Sequence, residues 1–128
     1  MTTVLPTKDK SREHPIPHEW RATLTDIANC VVRHDYSSLQ SLPFVTPPSA
    51  KDANRIRGNV EDYGETFTNL HEDTWQRSVS QRHGTYWELL IDLWTVESGR
   101  SDLVLFVHVF ESSDGFRFEI DDVHVPLA

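Results

Sequence analysis

The residues best suited to chemistry lie around one turn between two apolar runs in the C-terminal half of the chain. Asp92 and Trp94 belong to the first run, Glu97 and Arg100 to the turn, and Asp102 begins the second run. A carboxylate in the middle of a strand must be paired or solvated, and the guanidinium fork of Arg100 suits Glu97 or Asp102. Two interpretations follow: a structural network that fixes the turn, which we favour, or a pocket in which Asp92 acts as a base or ligand anchor.

A pocket of this kind requires aromatic and titratable side chains around its carboxylate. Alternation along a strand places Trp94 on the same face as Asp92, and Tyr86 belongs to the same apolar run. His108 lies in the following run, close enough in sequence to face them across a hairpin. The candidate pocket residues are therefore Asp92, Trp94, Tyr86 and His108, with Asp92 as the polar anchor.

Histidines provide a second candidate, a metal site. His124 and Asp122 are two residues apart and share one face of the last predicted strand, and His108 could lie opposite them. Imidazole and carboxylate groups in such a cluster can bind a metal ion. However, no predicted helix holds a His-x-x-x-His pair, and the sequence has no Cys-x-x-Cys. We therefore expect partly buried or surface imidazoles, with no metal and no cofactor.

Recognisable catalytic motifs are absent from the sequence. It contains no Gly-x-Ser-x-Gly nucleophile turn and no glycine-rich phosphate loop, and its five glycines fall mostly at predicted turns. The single cysteine, Cys30, lies in a helical apolar pattern, which is typical of a buried structural thiol. The sequence therefore predicts a protein that is not an enzyme.

Negative charge is concentrated in the second half of the chain, which has a net charge of −8 overall. Residues 1–60 hold eight basic and six acidic side chains, whereas residues 61–128 hold four basic and fourteen acidic ones. Such an excess repels nucleic-acid phosphate and anionic lipid, so neither nucleic acid nor membrane is expected as a partner. A basic protein would be attracted. The alternative is that the acidity only maintains solubility.

Carboxylates alternate with aromatic residues in part of this acidic half. That mixture is typical of protein interfaces; the alternative is a solvated face with its aromatics buried beneath. The candidate partner-binding residues are Glu61, Asp62, Glu65, Glu72, Asp73 and Trp75 around the end of the third helix, and Glu119, Asp121 and Asp122 on the last hairpin.

Helical spacing predicts three helices in the first half of the chain. The first covers about 19–33, because apolar residues recur at intervals of three and four. The second is short and capped by Asp35, and the third begins at Ser49, with Asp52 in a capping-box-like position, and ends at Gly64. The apolar positions of the first helix are Trp20, Leu24, Ile27 and Val31.

Strand-like patterns follow the helices. Four strands are predicted, over about 74–81, 85–96, 102–110 and 116–125. The second of them is apolar on both faces, which places it centrally in its sheet. A change of apolar phase near Asp121 and Asp122 indicates a β-bulge. The order of elements predicts an α+β fold, with N-terminal helices packed on a curved antiparallel sheet of three to four strands.

This order of elements resembles the cystatin-like, nuclear-transport-factor-like cone fold, in which a D-Y-x-x-L helix, here Asp35-Tyr36-Ser37-Ser38-Leu39, precedes the long strands. A narrower resemblance is carried by the D-L-W-T-x-E-x-G-R-S-D-L motif at 92–103, with Y-G-E-T at 63–66 and I-D-D-V-H-V at 120–125. These strings are similar to a family of small uncharacterised bacterial proteins. That resemblance implies a bacterial origin and a fold, and no activity.

The chain ends and composition suggest one cytoplasmic domain. Residues 1–17 are polar and proline-rich, so we predict a flexible leader there and a single α+β domain over 18–128. No apolar run approaches the roughly 20 residues of a membrane span, no signal peptide is evident, and a lone cysteine fits a reducing compartment.

Taken together, these features predict a non-enzymatic acidic binding protein. Its most concrete form is an immunity protein that neutralises a bacterial toxin by occluding the toxin's cationic site. One alternative is a cone-fold small-ligand binder or enzyme with Asp92 in an internal pocket. Another is an interaction module of a larger complex with no toxin involved.

Overall fold

The computed structural model describes residues 3–126, which form three α-helices and a seven-stranded sheet. The helices are α1 (His18–Val32), α2 (Tyr36–Gln40) and α3 (Ala50–Asp62). The strands are β1 (His14–Pro15), β2 (Val45–Thr46), β3 (Phe67–Thr68), β4 (Val79–His83), β5 (Tyr86–Thr95), β6 (Gly99–Ser112) and β7 (Gly115–His124). The predicted α+β class is confirmed, with more strands than the three to four expected.

The strands form one sheet in the order β1-β4-β5-β6-β7-β2, and β3 pairs with the end of β5. The pairings are antiparallel except for that between β2 and β7, which is parallel. The central position predicted for the strand that is now β5 is confirmed. The prediction that it is covered on both faces is wrong, because only alternate residues are buried and the others are partly exposed.

The core lies between the helices and the inner face of the sheet, the face toward α1. There, the buried residues of β5 and the apolar stripe of α1 join one cluster. Trp20 of α1 is 1% exposed, and its ring makes edge-on contacts with Trp87 at 5.2 Å and Phe116 at 5.1 Å between centroids. Edge-on geometry is favourable for the electrostatic quadrupoles of the rings. It stabilises the fold beyond what the buried area alone contributes.

Local capping interactions fix the two later helices as predicted. The Asp35 carboxylate accepts a hydrogen bond from the Ser38 backbone N–H at 3.1 Å, and the Ser49 hydroxyl accepts one from Asp52 N–H at 3.1 Å. Each bond satisfies a donor that the first turn of a helix leaves free. Gly64 follows α3 with φ +86°, the left-handed conformation that glycine adopts at a helix end.

The weak strand predicted over 74–81 is wrong in its first half. Residues Glu72–Gln76 form a 3₁₀ helix, and the strand begins only at Val79. Buried hydroxyl groups explain the difference. The Thr74 hydroxyl donates to the Asp92 carbonyl at 2.7 Å, and the Ser78 hydroxyl donates to the Thr74 carbonyl at 2.7 Å. These bonds favour a turn over an extended chain.

The N-terminal segment contributes to the fold before residue 18, where the predicted domain begins. Ile16 is fully buried, β1 pairs with β4, and the Trp87 indole N–H donates to the Thr7 carbonyl at 2.7 Å. The flexibility predicted for residues 1–17 stays a prediction. Residues 1, 2, 127 and 128 lie outside the described part of the chain.

The predicted β-bulge is confirmed at Asp121. Phe106 of β6 lies opposite Asp122, whereas the next residue, Val107, lies opposite Ile120. Asp121 is therefore the extra residue of β7. Among residues 3–126, no helix is long and apolar enough to cross a membrane.

The inner face of β5 should be the most sensitive part of the fold to truncation. Ile91→Ala should lower the free energy of unfolding by about 2–5 kcal/mol, because Ile91 is fully buried and its loss leaves a cavity. Val96→Ala is the matched control: Val96 follows the same strand, is 68% exposed, and should change stability by less than about 0.5 kcal/mol. Urea denaturation measures both, and equal effects would contradict this placement of the core.

Candidate functional site: the outer face of the sheet

The outer face of the sheet, opposite the helices, gathers most of the side chains with chemical potential. Alternation along each strand and the register between strands define its members. On the three long strands they are Tyr86, Glu88, Leu90, Asp92 and Trp94 of β5, Arg100, Asp102, Val104, Phe106, His108 and Phe110 of β6, and Arg117, Glu119, Asp121, Asp122 and His124 of β7. Apart from Val104 and Phe106, which are buried, these residues are partly or fully exposed.

Negative charge dominates this face. Of the residues just named, six carry carboxylates and only Arg100 and Arg117 carry guanidinium groups. Half-buried aromatic rings, including Tyr86, Trp94 and Phe110, lie among the carboxylates. The face is therefore acidic and aromatic at once.

Asp92 lies on this outer face and forms an ion pair with Arg100. The Asp92 Oδ2 and Arg100 Nε atoms are 3.5 Å apart, and the Arg100 guanidinium lies 5.2 Å from the centroid of the Trp94 ring. Partial burial raises the pKa of Asp92 above its ordinary value, while the positive charges of Arg100 and Arg77 act in the opposite direction. An open groove of about 510 Å³ surrounds this pair.

The side chains around the β5–β6 turn do form a network, but their partners differ from those expected from the sequence. Arg100 was expected to pair with Glu97 or Asp102, and it pairs with Asp92 instead. Glu97 accepts hydrogen bonds from the Thr66 backbone N–H at 2.9 Å and from the Thr66 hydroxyl at 2.8 Å. The carboxylate of Glu97 therefore ties the β5–β6 turn to the segment before β3.

The structure places Asp92 outside the core, and it does not gather the candidate pocket residues around it. Asp92 occupies an outward position of β5, whereas the inward positions around it, Ile91 and Leu93, are fully buried in the core. The candidate lining residues also do not converge, since Asp92 and Tyr86 are six residues apart on one strand, a span of about 20 Å. Tyr86 instead contacts His108, with ring centroids 4.7 Å apart.

Trp94 lies at the end of β5 away from Tyr86. Its ring stacks on that of His71, with centroids 4.9 Å apart and an angle of 30° between the rings. The imidazole of His71, which precedes the 3₁₀ helix, thus covers part of the outer face beside the Asp92–Arg100 pair. The structure therefore divides the four predicted pocket residues between two ends of the face.

The first group of predicted partner-binding residues is dispersed. Glu61 and Asp62 are exposed at the end of α3, Glu72 and Asp73 are exposed in the 3₁₀ helix, and Glu65 accepts a hydrogen bond from the Thr95 hydroxyl at 3.1 Å. These five residues are therefore spread over α3, the loop that follows it and the 3₁₀ helix. Trp75, the aromatic member of this group, is half-buried, with the Arg21 guanidinium 5.3 Å from its ring centroid.

The second predicted group, Glu119, Asp121 and Asp122, lies on the outer face. Glu119 and Asp121 are exposed, whereas Asp122 is partly neutralised by Arg55, with 3.3 Å between Nη2 and Oδ1. Sequence reasoning missed two further carboxylates of this face, Glu88 and Asp102, as partner-binding candidates. Strict alternation along the two long strands could have identified them, because Glu88 and Asp102 both fall at outward positions, as Asp92 does.

One histidine lies between two of these carboxylates. His108 Nε2 is 3.4 Å from Glu88 Oε2 and 3.8 Å from Asp121 Oδ2. The pairing considered from the sequence, His124 with Asp122, is present at 2.9 Å, but it is separate from His108. Val104 rather than His108 lies opposite His124 in the sheet.

The fold and this face define a small α+β protein with helices on one side of its sheet and an acidic, aromatic-rich face on the other. The chain belongs to the family of a domain of unknown function, DUF7668, whose model matches residues 28–126. No curated protein and no solved structure matches the chain significantly. The predicted resemblance to an uncharacterised family is thus supported, while the specific motif and the cone fold stay predictions.

The ion pair on the outer face predicts a measurable change in acidity. Arg100→Gln should raise the pKa of Asp92 further. The variant removes the positive charge that lowers this pKa most, while the carboxyl stays partly buried. A ¹³C NMR titration of the Asp92 carboxyl measures this directly. Arg117→Gln is the control, since that guanidinium has the same charge on the same face, and no shift of Asp92 in either variant would contradict the ion pair.

The raised pKa of Asp92 also determines how this group contributes to the pH dependence of the free energy of unfolding. The folded-state pKa of Asp92 lies above the ordinary value of 3.8, so the folded chain binds this proton more tightly than the unfolded chain. The contribution of Asp92 to the free energy of unfolding therefore decreases as pH rises from 3.8 through the folded-state pKa.

Proposed function

We propose that this protein is a non-enzymatic binding protein whose outer sheet face engages a basic protein partner. The observation that carries the proposal is the charge of that face: β5, β6 and β7 present six carboxylates and two guanidinium groups on it, and Arg55 and Arg77 adjoin it. Complementary charge speeds the encounter with a basic partner and disfavours other partners. Half-buried rings such as Tyr86 and Trp94 supply the apolar contact area that charge alone lacks.

The distribution of packing supports a protein partner over an internal small ligand. The space between α1 and the inner face of β5 is filled by Trp20, Trp87 and their neighbours. The candidate pocket residues lie on the opposite face and extend along about 20 Å of strand. An extended surface of this kind suits a protein better than a small molecule.

The most concrete form of this proposal is an immunity protein that neutralises a bacterial toxin by occluding the toxin's cationic site. The small size of the chain, its net charge of −8 and the lack of nucleophile or phosphate motifs in its sequence support this form. Carboxylates of the outer face would then occupy the position of an anionic substrate. Cytoplasmic residence, and the exclusion of nucleic acid and membrane as partners, belong to the same proposal.

A second candidate function is binding of a small anionic ligand in the groove beside Asp92. The observation that favours it is a half-buried carboxyl of raised pKa in a groove of about 510 Å³ that Arg100 and Arg77 also line. Such a site would lie on the outer face, not inside a cone.

The immunity proposal predicts that co-expression protects cells from a toxin whose gene lies next to the gene for this chain. Reversing two exposed outer-face charges, with Glu119→Lys and Asp102→Lys together, should abolish protection and slow association with the purified toxin by about tenfold at low salt. Growth rescue and surface plasmon resonance at low and high salt measure these effects.

Two exposed carboxylates away from the outer face provide the matched control. Glu13→Lys with Glu19→Lys makes the same change in net charge, at the N-terminal segment and in α1. This control should retain protection and most of the association rate. Full toxicity despite soluble expression of the natural chain, or equal losses in both double variants, would refute the proposal.

A further inference from the structure

We propose that Glu88, His108 and Asp121 form a binding site for one divalent transition-metal ion, such as Zn²⁺, on the outer face of the sheet. The sequence predicted no metal site, because these residues are far apart along the chain and form no recognised spacing. The proposal is independent of the proposed function, since the site could hold an ion with or without a protein partner.

The sheet brings the three side chains together from adjacent strands. Glu88 of β5 lies directly opposite His108 of β6, and Asp121 is the extra residue of β7 at the bulge beside them. Directly opposed residues on one face of a sheet have their Cβ atoms about 5 Å apart. Asp121 and Asp122 both contact outer-face histidines before Val123 returns to the core, so the bulge places Asp121 within reach of His108.

The distances between the potential ligand atoms fit one small ion. The three ligand atoms all lie within 4.8 Å of one another, with His108 Nε2 at 3.4 Å from Glu88 and 3.8 Å from Asp121. A tetrahedral ion with bonds of about 2.1 Å to nitrogen and oxygen holds its ligand atoms about 3.4 Å apart. Small side-chain rotations would therefore suffice to coordinate the ion.

The charges around the cluster also favour a cation. Within residues 3–126, neither Glu88 nor Asp121 has a lysine or arginine nitrogen within 4.0 Å, and their ion-pair contacts are to histidines alone. Other carboxylates of the chain have such partners, as Asp92 has Arg100 and Asp122 has Arg55. The two carboxylates carry a negative charge that a divalent ion would balance.

The ligand set indicates which ions suit the site. One imidazole nitrogen and two carboxylate oxygens match the preferences of Zn²⁺ and Co²⁺, whereas Mg²⁺ and Ca²⁺ prefer oxygen alone. Three protein ligands leave a fourth position for water or for another side chain. His83 is one candidate, because its side chain is exposed and its Nε2 atom lies 3.9 Å from Glu88 Oε1. Contact with the Tyr86 ring at 4.7 Å positions the His108 imidazole.

Isothermal titration of the full chain with ZnCl₂ tests the site. The natural chain should bind one ion. The affinity should fall by at least about tenfold in each of the variants His108→Ala, Glu88→Gln and Asp121→Asn. His124→Ala is the matched control, because this outer-face imidazole also contacts a carboxylate, Asp122, at 2.9 Å. It should leave the affinity within about twofold, since His124 is not one of the three clustered side chains and its partner Asp122 is also paired with Arg55.

A second measurement separates a lost ligand from a lost fold. Circular dichroism and thermal unfolding without metal should be nearly the same for the natural chain and the two amide variants, which keep the shape of each side chain. Zn²⁺ should raise the unfolding temperature of the natural chain and not that of Glu88→Gln or Asp121→Asn. No stoichiometric binding to the natural chain, equal binding by His108→Ala, or a loss confined to His124→Ala would each overturn the proposal.

Discussion

The constraint on which the rest of this structure depends is the alternation of buried and partly exposed residues along β5, whose buried side packs against α1. Every second residue of the strand is buried, and a shift of one residue would expose Trp87 and Ile91 while burying Glu88 and Asp92. Burying two unpaired carboxylates is far more unfavourable than exposing them. The register of the central strand is therefore fixed by its apolar face, and the composition of the outer face follows from it.

The outer face collects charge because the inner face excludes it. Long central strands in which one face is apolar must place their carboxylates on the other, and three such strands lie side by side here. Some of these carboxylates find internal counter-ions, as Asp92 does with Arg100. Others, such as Glu119 and Asp121, stay exposed and are available to a basic partner or a cation.

Local features of the fold could be predicted from the sequence, because local interactions determine them. The caps at Asp35 and Ser49, the glycine after α3 and the bulge at Asp121 all depend on residues within a few positions of each other. The central place of β5 followed from its apolar run. The two-residue strands escaped prediction, since alternation has no meaning over two residues.

The arrangement of the candidate site depended on pairings that the sequence does not encode locally. The irregular register between Asp92 and Trp94 brings Arg100 opposite Trp94, so Arg100 meets Asp92 and not Glu97. The proximity of Glu88, His108 and Asp121 likewise depends on two hairpins and a bulge acting together. Pattern reasoning identified which residue types could do chemistry, and the sheet determined which of them meet.

The short strands at the two borders of the sheet have a consequence for solubility. β1 and β2 are each two residues long, β1 ends in Pro15, and Pro47 follows β2 directly. Proline offers no N–H for further pairing, and brief border strands present few free backbone groups to another chain. The long strands β5 and β6 are thereby shielded at their flanks from self-association into extended sheets, while the acidic face stays accessible.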